Sequence, residues 1–219
     1  MTQYERMKAG LIYNPAAPQI EEEQFPLLEN LYDFNHTRPS EQKKRQELMQ
    51  KMFGSIGKGC YIEPPFHANW AGKNVFFGDY VYANFNLTIV DDGNVYVGDK
   101  VMFGPNVVIA TANHPIHPSL REDMLQYNKD VHIGRCVWIG AGAVIVPGVT
   151  IGDNSVIGAG SIVTKNIPAN VVAVGNPCKV IREIGQRDKE FFYKEESIDW
   201  EEILAFPPIG SHQSTDASK

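Results

Sequence analysis

From Ile133 onward an aliphatic or small residue recurs at every sixth position: Ile133, Ile139, Ile145, Ile151, Ile157, Val163 and Ala169, usually followed by glycine. A helix brings one face round every 3.6 residues and a strand every 2. A strict period of six therefore predicts a coil of short flat sides, each sending one residue to a shared axis. Three sides close one turn. The lead residue points inward, and Gly, Asn or Asp takes the corners, where the backbone needs a positive φ. The fold class this predicts is mainly β, a parallel β-helix.

The same period runs upstream through Phe77, Ala83 and Ile89, then Val97, Phe103 and Ile109, with short phase slips between the blocks. Between Ile109 and Ile133 the repeat is abandoned, and Asn113 to His132 form an insertion. Insertions in such coils are loops on a rigid frame, where binding and chemistry concentrate. Ahead of the coil, helices are expected over a stretch ending at Gly10, over EEEQFPLLENLYDFNH, and over EQKKRQELMQKMF with Ser40 as its N-cap and Gly54 as its stop. The last of these offers Leu48, Met49, Met52 and Phe53 to cover the open end of the coil, which would otherwise expose apolar surface and unpaired edges. Past Pro177 a helical or mixed segment is expected, then a tail, PPIGSHQSTDASK, of disordered composition. The chain thus divides into a helical cap over 1–56, the coil over 57–184 with an excursion at 115–130, and an extension over 185–219.

Composition narrows the chemistry. The 219 residues carry a formal charge of −6, so no basic surface points to nucleic acid, while a few local cations could still hold a polyanionic small ligand. Cys60, Cys136 and Cys178 are odd in number and widely spaced, which excludes a disulfide framework and a zinc knuckle and predicts reduced thiols. No charged and apolar leader opens the sequence and no apolar run reaches membrane length, so a cytoplasmic protein without membrane association is expected.

His114 stands where the coil that begins at Val97 gives way to the insertion. An imidazole there can accept a proton from an attacking hydroxyl, or it can be a loop histidine satisfied by backbone. A three-histidine metal site with His117 and His132 lacks a recurrent ligand spacing, so no metal is expected. The segment from Tyr82 to Asp92 is polar where a core strand should be apolar. Asn84, Asn86, Asp91 and Asp92 suit tight corners, yet Asn84 and Asp92, with His114 one coil later at a similar turn position, also suit recognition of a polyol. Lys165, Lys179 and Arg182 fall near the last coils, as scattered surface cations or as a phosphate-binding group.

Taken together, MKAG, YDFNHTRPSE, IEPPF, YANFNLTIVDD, the NHP of His114, VWIG, VPGVTIGDN, VIGAGSIVTK and GNPCKVIREI resemble the galactoside and maltose O-acetyltransferases of the hexapeptide-repeat acyltransferase family. The resemblance runs from about Tyr4 to Ile184. It implies a left-handed triangular β-helix, an exception to the usual right-handed crossover. It also implies a homotrimer with sites between subunits, and acetyl transfer from acetyl-CoA to a sugar hydroxyl. By position it makes His114 the general base, places Asn84 at the reacting centre, and puts Asn14, Asn69, Tyr82 and Asp92 in the acceptor pocket, with the N-terminal segment as a lid. Ala141, Ala159, Thr164, Lys165, Lys179 and Arg182 fall at cofactor contacts. The sequence departs from the family at Asn14, Asn69, Lys179 and Asp130, the last implying a looser exit from the excursion. Other hydroxyl acceptors, a xenobiotic or an amino acid, and a scaffold without catalysis are the competing functions.

Overall fold

The computed structural model describes residues 1–209, and the chain divides into two compact units, Met1–Arg182 and Glu183–Lys219. The first unit is a three-faced parallel β-helix of about six turns, fronted by helices. The first face stacks Ser55–Ile56, Val75–Phe77, Val95–Val97, Val131–Ile133 and Thr150–Ile151. The second stacks Tyr61–Ile62, Tyr82–Ala83, Met102–Phe103, Trp138–Ile139, Val156–Ile157 and Val171–Val174, with Lys179–Glu183 beside the last. The third stacks Phe66–Ala68, Leu87–Val90, Val108–Ala110, Val144–Ile145 and Ile162–Val163.

Register places like over like. Phe77, Val97, Ile133 and Ile151 are partners on the first face, Ala83, Phe103, Ile139 and Ile157 on the second, and Ile89, Ile109, Ile145 and Val163 on the third. All of these are buried in one core. Each large aliphatic among them contributes about 1.5–3 kcal/mol by leaving water. A turn ahead of the hexads that begin at Phe77 extends the ladders with Ile56, Ile62 and Ala68.

Two expectations about the repeat are corrected. Ala169 is exposed, and the inward place is taken by Ile167, which bridges to Ile151. Ile167 follows Val163 by four positions rather than six, so the last lead residue falls two positions earlier than the period predicts. Nor does the glycine after each lead residue serve a positive φ. A Cβ on Gly140 would lie 2.5 Å from the Ala159 nitrogen of the next turn, so glycine is required by the approach of stacked backbones. Left-handed corners fall elsewhere, at Tyr80, Lys100, Cys136, Asn154 and Asn170 between the first and second faces, and at Asn86, Asn106, Gly142 and Gly160 between the second and third. Aspartates secure the first of these corners. Asp79, Asp99 and Asp153 each accept a main-chain N–H from the preceding turn, those of Lys58, Asp79 and Arg135, at 2.8–3.0 Å.

Helix α1, Gln3–Lys8, opens with a capping box between Thr2 and Glu5, and Gly10 follows its end at φ +65°. Helix α2 spans Pro18–Asn35, starting ahead of the expected Glu21 because Pro18 supplies a preset φ for the first turn. Helix α3, Gln42–Met52, is preceded by Glu41, so Ser40 is not its cap; the Glu41 carboxylate instead reaches back to the Arg38 N–H. Leu48, Met49, Met52 and Phe53 join the solenoid core as expected. Past Glu183 the chain is mixed: a helical turn at Arg187–Glu190, a hairpin of Phe191–Tyr193 with Glu196–Ser197, and a helix at Trp200–Leu204. The tail expected to be disordered lies, from 210 on, outside the described residues. Among those described, no helix is long and apolar enough to cross a membrane.

Candidate functional site

Every long departure from the six-residue period falls at one corner, where the third face passes to the first. Residues 69–74, 91–94 and 111–130 each leave the third face there, in three consecutive turns, and the chain rejoins the first face at Val75, Val95 and Val131. The phase slips in the sequence are therefore a stack of loops. The largest loop is itself folded, with Ala112–Asn113 pairing antiparallel to Tyr127–Asn128 and a short helix at Pro118–Glu122. Its exit is tied rather than loose, because Asp130 accepts the Asn94 N–H at 2.8 Å and faces its amide at 3.3 Å.

Asp92, 5% exposed, is the hub of this corner. Its carboxylate accepts both approaches of the Asn69 amide at 2.9 and 3.1 Å, and the Tyr13 hydroxyl and Trp70 indole N–H lie at 3.4 Å. Asn69, Asp92 and Gln126 line a cleft of about 360 Å³ with His67, Thr88 and Leu31. His114, exposed at the mouth of the excursion, has its Nδ1 2.9 Å from the Leu125 carbonyl. A carbonyl can only accept, so the ring proton sits on Nδ1 and the Nε2 lone pair is left to take another. Asn14, also exposed, lies in the N-terminal segment; its side chain accepts from Ala16 N–H and its main chain donates to Gln3.

Asp91 supports the corner from beneath. Its buried carboxylate accepts the Trp70 and Gly72 N–H groups at 2.6 and 3.0 Å, and its carbonyl accepts the Asn74 amide. Burial pushes its pKa up to about 6; the Trp70 hydrogen bond opposes this and the Asp92 charge adds to it. An acid that keeps its proton on folding, above the ordinary 3.8, contributes stability that is full at low pH and is lost as pH rises through about 4 to 6. Relative to Asp91→Asn, the wild type should thus lose up to about 3 kcal/mol across that window in urea unfolding. A difference that stays flat from pH 4 to 7 would contradict this assignment.

The other predicted residues occupy different edges. Asn84 is not at a turn position similar to that of His114, contrary to expectation. It sits between the second and third faces, across the width of the third face, because the six-residue period repeats at all three corners without marking which is which. There its Oδ1 accepts the Phe85 N–H at 2.8 Å, and its Nδ2 has no partner among the described residues. Ala141 and Ala159 share that edge in lower turns, joined by Gly160 N–H to Ala141 carbonyl at 2.8 Å. Tyr82 points outward from the adjoining second face, stacked on Tyr61 at 6.3 Å. Thr164 and Lys165 follow the third face on the same side as His114, whereas Lys179 and Arg182 lie on the final strand beside the second face. One chain therefore carries the predicted residues as two groups, Asn69, Asp92 and His114 on one edge and Asn84, Ala141 and Ala159 on the other.

Three features went unread in the sequence. Tyr13, Gln126 and Asn128 form a buried polar group around Asp92, and nothing in their local pattern announces it. Among the described residues, Asn128 Nδ2 is a buried donor without a partner. Trp138 and Met102, about half exposed on the outer second face below Tyr82, had a visible signal, being large apolar residues at outward positions of their hexads. His117 stands just ahead of a short helix with its Nδ1 2.8 Å from the Ser119 hydroxyl, and His132 stacks on Tyr96, so the histidines do not converge, and among the described residues no cluster fit for a metal occurs. Two further clefts within the second unit, walled by Phe192, Ile198, Trp200 and Ile203, involve none of the predicted residues.

Residues 6–57 match the model of the maltose acetyltransferase hexapeptide capping motif, and residues 130–165 that of the bacterial transferase hexapeptide, six repeats. The chain is 50% identical over 201 residues to a galactoside O-acetyltransferase of Lactococcus lactis, covering 92% of this chain and 97% of the relative. Among solved structures it is similar to a galactoside acetyltransferase in complex with coenzyme A, with a TM-score of 0.87 and 47% identity, covering 91% of this chain and 99% of the other. A maltose O-acetyltransferase from Clostridium difficile 630 superposes with a TM-score of 0.83 at 42% identity, covering 85% of this chain and 99% of the other.

Proposed function

The chain belongs to the galactoside and maltose O-acetyltransferase group of the hexapeptide-repeat acyltransferases, and from that premise we propose that it moves an acetyl group from acetyl-CoA to a hydroxyl of a galactoside- or maltose-like sugar. The observation that carries the reading in detail is the division of the candidate residues into two half-sites on opposite edges of the third face. A ring of copies in which the His114 edge of one meets the Asn84 edge of the next completes both halves, and closure after three gives a homotrimer.

In that interface His114 Nε2 takes the proton of the acceptor hydroxyl as its oxygen attacks the thioester carbonyl carbon. The Nδ1 bond to the Leu125 carbonyl fixes the tautomer this requires. Charge develops on the carbonyl oxygen, and the unpartnered Asn84 amide is a donor for it. The carbon–sulfur bond then breaks, and the CoA thiolate receives the proton from the imidazolium. Asp92 and Asn69, with Asn14 and Tyr82, hold the sugar. Ala141 and Ala159 give acetyl-CoA a smooth edge to lie along, and Thr164, Lys165, Lys179 and Arg182 meet its polar and phosphate groups. Cys136 is on the first-to-second corner, apart from both half-sites, so the transfer is direct, with no acyl-cysteine.

The test is acetyl-CoA with a panel of galactosides, maltose, amino acids and aminoglycosides, followed by CoA release and mass analysis of the acceptor. A monoacetylated sugar is expected. Acetylation confined to the amino acids or aminoglycosides, or no CoA release with any sugar, would overturn the sugar reading.

A further inference from the structure

Tyr13 is 1% exposed and belongs to no regular element, yet it touches each of the loops stacked at the His114 corner. Its main chain forms an antiparallel bridge with Gln126 in the excursion, Tyr13 N–H to Gln126 carbonyl at 2.9 Å and Gln126 N–H to Tyr13 carbonyl at 3.0 Å. Its hydroxyl lies 3.4 Å from Asp92 Oδ1 and 3.4 Å from Asn128 Oδ1, and accepts from the Gln126 amide at 2.5 Å. Its ring packs with Met7, Ala17, Ile20 and Trp70 in an apolar cluster separate from the solenoid core, and Trp70 adjoins Asn69. Burial, with the Asp92 charge behind it, pushes the phenol pKa upward, so the group remains a donor.

Two lines of positioning leave this one residue. Through its hydroxyl it reaches Asp92. Through its main chain it holds Gln126, and the residue before Gln126 is Leu125, whose carbonyl orients the His114 ring. We propose that Tyr13 is a positioning residue that ties the N-terminal segment to both the acceptor-side carboxylate and the base, so that docking of this segment is a condition for an ordered site. The proposal rests on the acetyl-transfer reading for the roles of Asp92 and His114, and it concerns how this chain holds them.

Tyr13→Phe removes the hydroxyl and keeps the ring and the bridge. It should raise the KM for the sugar by about 3- to 10-fold, the range of a hydrogen bond worth ~1 kcal/mol, with kcat and the KM for acetyl-CoA within about twofold of wild type. In the Asp92→Asn background the same change should add little, because Tyr13 acts through that carboxylate. An unchanged sugar KM in Tyr13→Phe, or an effect fully additive with Asp92→Asn, would overturn the proposal. The second line is read without turnover, by the nitrogen-15 resonances of the His114 ring. The Nδ1-protonated signature should persist in Tyr13→Phe and give way to a tautomer mixture in Tyr13→Pro, which removes the bridging N–H, provided Tyr13→Pro keeps the wild-type circular dichroism; the signature intact in such a folded Tyr13→Pro would refute the bridge's role. Should Tyr13→Pro fail to fold, deletion of residues 1–16, which removes the whole bridging segment, takes its place with the same expectation. A wild type that acetylated no sugar would refute the reaction reading alone, while the resonances would still decide the bridge.

Discussion

Replacing His114 with alanine is expected to lower kcat by about 10²- to 10⁴-fold, the usual worth of a positioned general base. The loss should fall on kcat with little change in the KM of acetyl-CoA, since the imidazole meets the hydroxyl proton in the transition state and holds no part of the cofactor. The side chain is exposed and belongs to neither apolar cluster, so melting temperature and circular dichroism should stay at wild-type values. The hydrogen bond that the substitution removes is that of the ring to the Leu125 carbonyl. Steady-state kinetics on the purified variant decide the matter, and a rate within about threefold of wild type would show that His114 is a satisfied loop histidine and not the base.

Asn84→Ala should be nearly as damaging, about 10²- to 10³-fold in kcat, if the amide donates to the developing oxyanion. The reason lies in its local geometry. The Oδ1 is anchored on the Phe85 N–H, which turns Nδ2 away from the backbone, and that donor has no partner among the described residues. Within its own chain the amide stands across the third face from His114. On the shared-site reading, it donates to an oxyanion formed beside a neighbour's base.

The core was readable because an inward residue in a three-sided coil has the same neighbours above and below in each turn, so Ile133 to Val163 could hardly vary in type. The first turn keeps the same spacing through Ile56, Ile62 and Ala68, but Gly57, Lys58 and Gly59 and then Pro64 and Pro65 replace the recurring hexads, so its lead residues were not read although the expected coil, 57–184, takes in most of that turn. Ala169 was misplaced because a period carries no warning of a shortened connection. Asn84, Asp92 and His114 were visible as polar residues interrupting an apolar repeat. The edge each occupies was not, since the hexad is blind to which of three corners it describes. The phase slips held that information: extra residues after Ile89 and Ile109 could only bulge where the third face ends. Tyr13 was out of reach for a different reason. Its partners Asp92 and Asn128 are 79 and 115 residues away, a pairing that only the closed fold brings about.

The central claim is that each site is shared, His114 from one copy and Asn84 from the next. It is tested most directly by mixing the two inactive variants, His114→Ala and Asn84→Ala, after unfolding and joint refolding, with native mass spectrometry to count mixed trimers. A working site then needs one copy with intact His114 beside one with intact Asn84, and random assortment of equal amounts should restore roughly a quarter of the wild-type rate. Mixed trimers present in quantity but no faster than the two parent variants would contradict the shared site.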